Sequence, residues 1–125
     1  MIVVDASVLI AHLDERDAQH ERAEQLLLEV ADEPLAASPI TLAEVLVGPT
    51  RQGCLEAAES ALRTLGVRQI PIDAAPPSRL ARLRAETELK LPDCCVVFAA
   101  QEAGASAVLT LDYRLRRVAA SLGFA

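Results

Sequence analysis

The chain has 125 residues, enough for one domain with its own core and no need of disulfide or metal support. Its net charge of −6 argues against a protein that grips nucleic acid through a broad basic face, and three cysteines, an odd number, exclude a full disulfide framework. The longest clean apolar run, Cys94 to Ala100, has seven residues, far short of the roughly 20 that a membrane helix needs. Met1 leads straight into an apolar run with no basic segment before it, so no signal or transit peptide is expected and a cytoplasmic protein is.

Aromatic residues make up 2% of a chain that is 52% hydrophobic, so Leu, Val and Ala must fill the core. Ile2-Val-Val is β-branched and apolar; with Asp5-Ala-Ser7 and a helical pattern through Leu13 it predicts a strand, turn and helix. After a polar break at Asp14 to Asp17, Ala23, Leu26, Leu27 and Val30 predict a helix within 18–31, ended by Pro34. Leu35-Ala36-Ala37 predicts a short strand. A helix follows Ser38-Pro39 from about Ile40 to Val47, with Gly48-Pro49 expected to stop it.

Gly53 precedes a predicted helix to about Leu65, closed by Gly66, and Val67 to Ile72 reads as a strand placed at a sheet edge by Pro71. Pro76-Pro77 opens a helix whose apolar stripe is Leu80, Leu83 and Leu91 among arginines. Leu91-Pro92-Asp93 starts an Ala-rich helix ending near Gly104, apolar all round and so buried; its Cys94 and Cys95 read as small buried hydrophobes. Ser106 to Leu111 predicts the last strand, leading into Asp112 and a final helix. Strands alternate with helices throughout, which predicts an α/β fold: one domain over 1–125 with a central parallel sheet of four to five strands flanked by helices on both faces.

In such sheets ligands gather beyond the carboxyl ends of the strands. Asp5 and Asp112 follow strands directly, Glu44 is placed in the first turn of its helix and Asp93 at the first position of another, so all four acids could project over one edge. Each has a local alternative. Asp5 could cap the next helix, with Ser7 as a competing cap; Thr41-Leu-Ala-Glu44 matches a capping box; Asp93 resembles a helix start; Asp112 fits a turn or a local pair with Arg114. Jointly they point to a carboxylate cluster that resists ionising together and calls for a divalent cation, hence to metal-dependent phosphodiester chemistry. Oxygen donors favour Mg2+, with Mn2+ as substitute, over zinc, because neither cysteine nor His12 and His20 show ligand spacing. The four acids account for four of the six excess negative charges, and a bound cation would reverse the local sign.

The motifs Ile2-Val-Val-Asp5-Ala-Ser7-Val-Leu-Ile10, Thr41-Leu-Ala-Glu44-Val-Leu, Leu91-Pro92-Asp93 and Leu109-Thr110-Leu-Asp112, in this order across nearly the whole chain, resemble the PIN-domain family, and within it the VapC-type toxin ribonucleases of toxin–antitoxin pairs. The resemblance implies a PIN-like domain in which Asp5, Glu44, Asp93 and Asp112 are catalytic and bind Mg2+ or Mn2+, with Ser7 and Thr110 as polar supports. It implies an endoribonuclease that hydrolyses RNA by metal-activated water, a cognate antitoxin protein that blocks the acidic pocket, and a homodimer. Exposed Leu and Ala on the helices from Gly53 and Pro77 are candidate dimer contacts. Cys94-Cys95 after Asp93 and Tyr113 in an Arg-rich ending depart from the family pattern and bear on substrate choice.

Other chemistries fit less well. Aspartyl-phosphate phosphatases resemble a D-x-D pattern where this chain has Ser7, receiver domains want a strand-end lysine where Lys90 precedes a helix, and no phosphate-binding glycine motif follows a strand. The non-enzymatic rival is an α/β interaction protein whose acids are only helix caps.

Overall fold

Strand β1 (Ile2–Val4) lies inside the sheet rather than at its rim. In the computed structural model, which describes residues 1–72 and 76–125, it pairs in parallel with β2 (Leu35–Ala37) on one side and β4 (Ala107–Leu109) on the other. Strand β3 (Val67–Gln69) adds in parallel to β2, giving the order β3-β2-β1-β4. The sheet thus has four strands among the described residues. Every residue of β1 and β2 is buried, because helices cover both faces, which is why these strands read as continuous apolar runs.

Ile2 and Val4 face a core built with α1 (Ala6–Leu13), α2 (His20–Glu29), α3 (Pro39–Arg51) and α4 (Leu55–Leu65). Val3 faces the opposite core, with α5 (Pro77–Thr87), α6 (Leu91–Ala103) and α7 (Tyr113–Ser121). The first half of the chain therefore winds outward from β1 through β2 to β3. The second half returns to place β4 on the free side of β1, so the strand order reverses between β1 and β4. Helix α6 is buried on every side from Cys94 to Ala100 and packs on β1, β4, α3 and α5, which answers its unbroken apolar sequence.

Several boundaries differ from expectation for identifiable reasons. Helix α3 passes through Gly48-Pro49 to Arg51; Pro49 forfeits one N–H bond near the end, but Thr50 Oγ1 donates to the Leu46 carbonyl at 2.6 Å and Gln52 N–H reaches Gly48 O, so the last turn holds. Strand β3 stops at Gln69 because Ile70 N–H makes the final bond to Ala37 O and Pro71 has no donor to follow it; β3 does form a sheet edge. Helix α5 ends at Thr87, where Glu88 turns left-handed at φ 61°, so Leu91 belongs to the exposed start of α6 and not to the α5 stripe.

Cys94 and Cys95 are buried and unpaired as expected, and Cys54 is exposed. His12 pairs with Glu24, and His20 bonds the Ala11 carbonyl at 2.7 Å, so both histidines tie α1 to α2. On α4 and α5 no leucine is exposed: Leu62 and Leu83 are buried and Leu55, Leu65 and Leu80 are half-buried. The exposed apolar residues there are Ala57, Ala81 and Ala85, which corrects the expected leucine contacts. No described helix is long and apolar enough to cross a membrane.

Phe98, 1% exposed in the middle of α6, is the largest fully buried side chain. Phe98→Ala is expected to cost about 3–5 kcal/mol of stability through lost burial and the cavity left behind. A urea midpoint equal to wild type would show that α6 does not anchor the core.

Candidate functional site

The site forms where the strand order reverses, beyond the carboxyl ends of β1 and β4. Asp5 follows β1, and its N–H continues the ladder by donating to Leu109 O at 2.9 Å. The residue is only 6% exposed, and although it stands at the cap position of α1 its side chain makes no cap bond. Instead Asp5 Oδ2 accepts two hydroxyls, Ser7 Oγ at 2.7 Å and Thr110 Oγ1 at 2.8 Å. Oδ1 has no hydrogen-bond partner among the described residues.

Ser7 is not the competing cap either. It sits inside α1, and its Oγ accepts Leu111 N–H at 3.0 Å, while Thr110 Oγ1 accepts Asp112 N–H at the same distance. Two hydroxyls thus fasten the loop after β4 onto the start of α1. Arg116 reinforces that loop from behind, donating to Thr110 O at 3.0 Å, a contact that no local sequence pattern signals.

Glu44 is the sixth residue of α3, in its second turn rather than its first. Ser38 caps this helix by accepting Thr41 N–H at 3.0 Å, so Thr41 occupies the position a capping-box glutamate would take and Glu44 is released from that role. Although much of its surface meets solvent, surrounding protein displaces enough water to raise its pKa, and the charges of Asp5 and Asp93 raise it further.

Asp93 is the third residue of α6, not the first, and is half-buried. Burial raises its pKa first, then the charges of Asp5 and Asp112, against the opposing pull of Lys90 and Arg114. Asp112 does cap: its Oδ1 accepts Arg114 N–H at 2.8 Å and Leu115 N–H at 3.1 Å at the start of α7. Capping therefore holds for Asp112, where a turn or a pair with Arg114 was expected, and fails for the other three acids; Arg114 pairs with Glu88 at 3.9 Å instead.

Asp5 acts on Glu44 and Asp93, and Asp93 feels Asp112, so one field links all four acids at one edge of the sheet. They do not close on a single point: among the described residues no three His, Cys, Asp or Glu side chains stand together as a ready ligand set. The donors offered are hard oxygens, one of them the uncommitted Oδ1 of Asp5, and their mutual repulsion is what a divalent cation relieves. Cysteine is nearer than the sequence indicated, since Glu44 acts on Cys95 and Asp93 on Cys94. Burial pushes both thiols up first; after it come Cys95 and then Asp93 for Cys94, and Glu44 for Cys95.

A family model of the PIN domain matches residues 2–121. No curated protein matches the chain. Among solved structures, the Mycobacterium tuberculosis toxin VapC20, described as cleaving the sarcin–ricin loop, superposes with a TM-score of 0.76 at 21% identity over 100% of this chain and 97% of its own. A toxin–antitoxin complex from Klebsiella pneumoniae matches at 28% identity and TM-score 0.71, covering 90% of this chain and 87% of that one. VapBC2 from Rickettsia felis, bound to a DNA fragment from its promoter, matches at 20% identity and TM-score 0.70 over 94% and 93%. The two at or below 21% identity establish a shared fold.

Because Glu44 and Asp93 hold protons to higher pH when folded than when unfolded, their contribution to stability falls as pH rises from the ordinary carboxylate range through their raised values. In EDTA, Asp93→Asn is expected to raise Tm at pH 7, and the gain should vanish below the ordinary carboxylate range, where both states are protonated. A Tm at pH 7 equal to or below wild type would contradict the repulsion described.

Proposed function

The chain belongs to the PIN-domain family, and from that premise we propose that residues 1–125 form one nuclease domain: a Mg2+- or Mn2+-dependent endoribonuclease, the VapC-type toxin of a toxin–antitoxin pair acting in the cytoplasm. The observation that carries this reading is Asp5, buried and fixed by two hydroxyls through Oδ2 while Oδ1 has no partner among the described residues and lies in the shared field of Glu44, Asp93 and Asp112. A helix cap would have spent that carboxylate on backbone N–H groups. A buried acid held this way supports a ligand-binding role.

Asp5, Glu44, Asp93 and Asp112 would hold the ion, Asp112 through the oxygen not used for capping. Bound there, a divalent cation supplies Lewis acidity at a phosphate oxygen and a water of lowered pKa. The chain's own residues do the positioning. Ser7 and Thr110 fix the Asp5 rotamer, and Arg116 fixes Thr110. Lys90 and Arg114, near enough to act on Asp93, bring positive charge to the edge where a phosphodiester must approach.

The antitoxin partner rests on the resemblance to VapC-type toxins and on the similarity to the Klebsiella toxin–antitoxin complex. A homodimer rests on the resemblance alone, with Ala57, Ala81 and Ala85 as the exposed apolar residues on the helices concerned.

Total RNA incubated with the protein and Mg2+, followed by sequencing of the new ends, is expected to show discrete cleavages that EDTA and Asp5→Asn abolish. Thr110→Val, which removes a support and no ligand, is expected to lower the rate roughly 10- to 100-fold. Cleavage that persists in EDTA or in Asp5→Asn would remove the metal nuclease reading.

A further inference from the structure

A cleft between helices adjoins the candidate site and reaches away from it. Helices α1, α3 and α4 meet around a cavity of about 390 Å3, a volume in the range of small-molecule sites. It stays open because several residues lining it are small: Gly48 on α3 and Ala58 and Ala61 on α4 leave a gap that larger side chains would close. Ile10, Leu13 and Val45 complete an apolar wall, and Ile10, 41% exposed, is open to whatever enters.

The acids of this cleft lie toward its two ends. Helix α1 is 8 residues and so about 12 Å long. Glu44 lies toward its start, where Asp5 acts on it, and Asp14 follows its last residue. Glu44 makes no hydrogen bond or ion pair among the described residues, and no basic group is among those acting on its carboxyl. Asp14 Oδ1 accepts the Arg16 backbone N–H at 2.9 Å and Arg16 Nε at 3.4 Å, while Oδ2 has no partner among the described residues. Arg16 itself is 85% exposed, so that pair is weak and readily displaced.

Negative charge at both ends with hydrocarbon between them selects the ligand. An anion is repelled, a hard metal ion gains nothing from the apolar wall, and a lysine or arginine of a protein partner carries one charge on its stem. A linear aliphatic chain with an ammonium at each end satisfies both acids and buries its methylenes between them. The acid-rich helices α2 and α4, on the same face of the sheet, add long-range attraction for such a cation. We propose that this cleft binds a linear polyamine, with one ammonium on Asp14, another on Glu44 and the methylenes along Ile10, Leu13 and Val45. The binding site stands on these residues whether or not the chain is a nuclease. Its consequence rests on the nuclease reading: an ammonium on Glu44 takes a carboxylate from the proposed divalent ion, so a polyamine restrains cleavage by competing with Mg2+.

Binding is read without RNA or Mg2+, on protein with 13C-labelled isoleucine methyl groups. Butane-1,4-diamine and spermidine are expected to shift the Ile10 methyl and to leave Ile70, on the opposite face of the sheet, in place. Butylamine, with one charge, should bind roughly tenfold more weakly. Asp14→Asn, which keeps an acceptor for the Arg16 N–H, should lose diamine affinity by a similar factor, and Glu21→Gln on α2 should lose none. An Ile10 methyl that ignores the diamines overturns the site, as does butylamine binding equally well. Equal losses in Asp14→Asn and Glu21→Gln also overturn it, by showing diffuse attraction to an acidic surface. So does an Ile10 methyl that moves with protein concentration and not with amine, which would assign the cleft to a second copy of the chain. In cleavage assays spermidine should raise the Mg2+ needed for half-maximal rate in wild type more than in Asp14→Asn, whose basal rate is retained. Binding without that competition removes the restraint, whereas a wild type that cleaves no RNA removes the nuclease reading and leaves the polyamine site standing.

Discussion

The two hydroxyls on Asp5 Oδ2 are the constraint on which the rest of the site depends. Ser7 lies in the first helix and Thr110 in the loop after the last strand, so this oxygen joins segments more than a hundred residues apart in sequence. The arrangement requires the register Val4↔Leu109 and the bond from Asp5 N–H to Leu109 O. A slip of one residue between β1 and β4 would turn Thr110 to the other face of the sheet and leave the buried carboxylate with Ser7 as its one hydroxyl partner. Strand order, register and rotamer are in this sense one determination.

Around that fixed point the protein accumulates charge that opposes folding. Asp93 is held at the mouth of a helix buried on every side, and Glu44 faces it from α3. Neither caps its helix, and both have pKa values raised by lost hydration and by like charge. A sequence selected for stability alone would place Asn or Gln there. Unfavourable electrostatics gathered at one sheet edge are the kind of feature that accompanies functional sites, and they are what the proposed cation would relieve.

Much of this was legible in sequence, and the failures are instructive. Alternating strand and helix patterns, the all-apolar stretch of α6 and the edge position of β3 follow from periodicity and proline chemistry. Glu44 was obscured because Thr41-Leu-Ala-Glu44 imitates a capping box, while the true start lies at Ser38-Pro39 and moves Glu44 into the second turn. Asp5 and Asp112 were indistinguishable locally, each following a strand and preceding a helix. What separates them is long-range: Thr110 reaches Asp5 across the sheet, and nothing comparable draws Asp112 away from the N–H groups of α7. Pro49 misled because a missing donor ends a helix only when no other bond secures the last turn.

The net charge of −6 stands against the RNA chemistry proposed for this site, and the local placement of charge bears on that opposition. Affinity for a polyanion depends on potential along its path, which falls off within about 10 Å at moderate salt, more than on the sum over the molecule. The only lysine, Lys90, and Arg114 both bear on Asp93, and Arg117 lies over the exposed ring of Tyr113 beside Asp112, whereas many acids, Glu15, Glu21, Glu29 and Glu56 among them, sit in solvent on α4, α2 and the turn before it. A divalent ion would offset two of the four central carboxylate charges, and with Lys90 and Arg114 alongside this edge would be less acidic than the remainder of the surface. A polyanion is repelled by the rest of such a surface, so the carboxyl edge of the sheet is where the proposed chemistry meets the least electrostatic opposition.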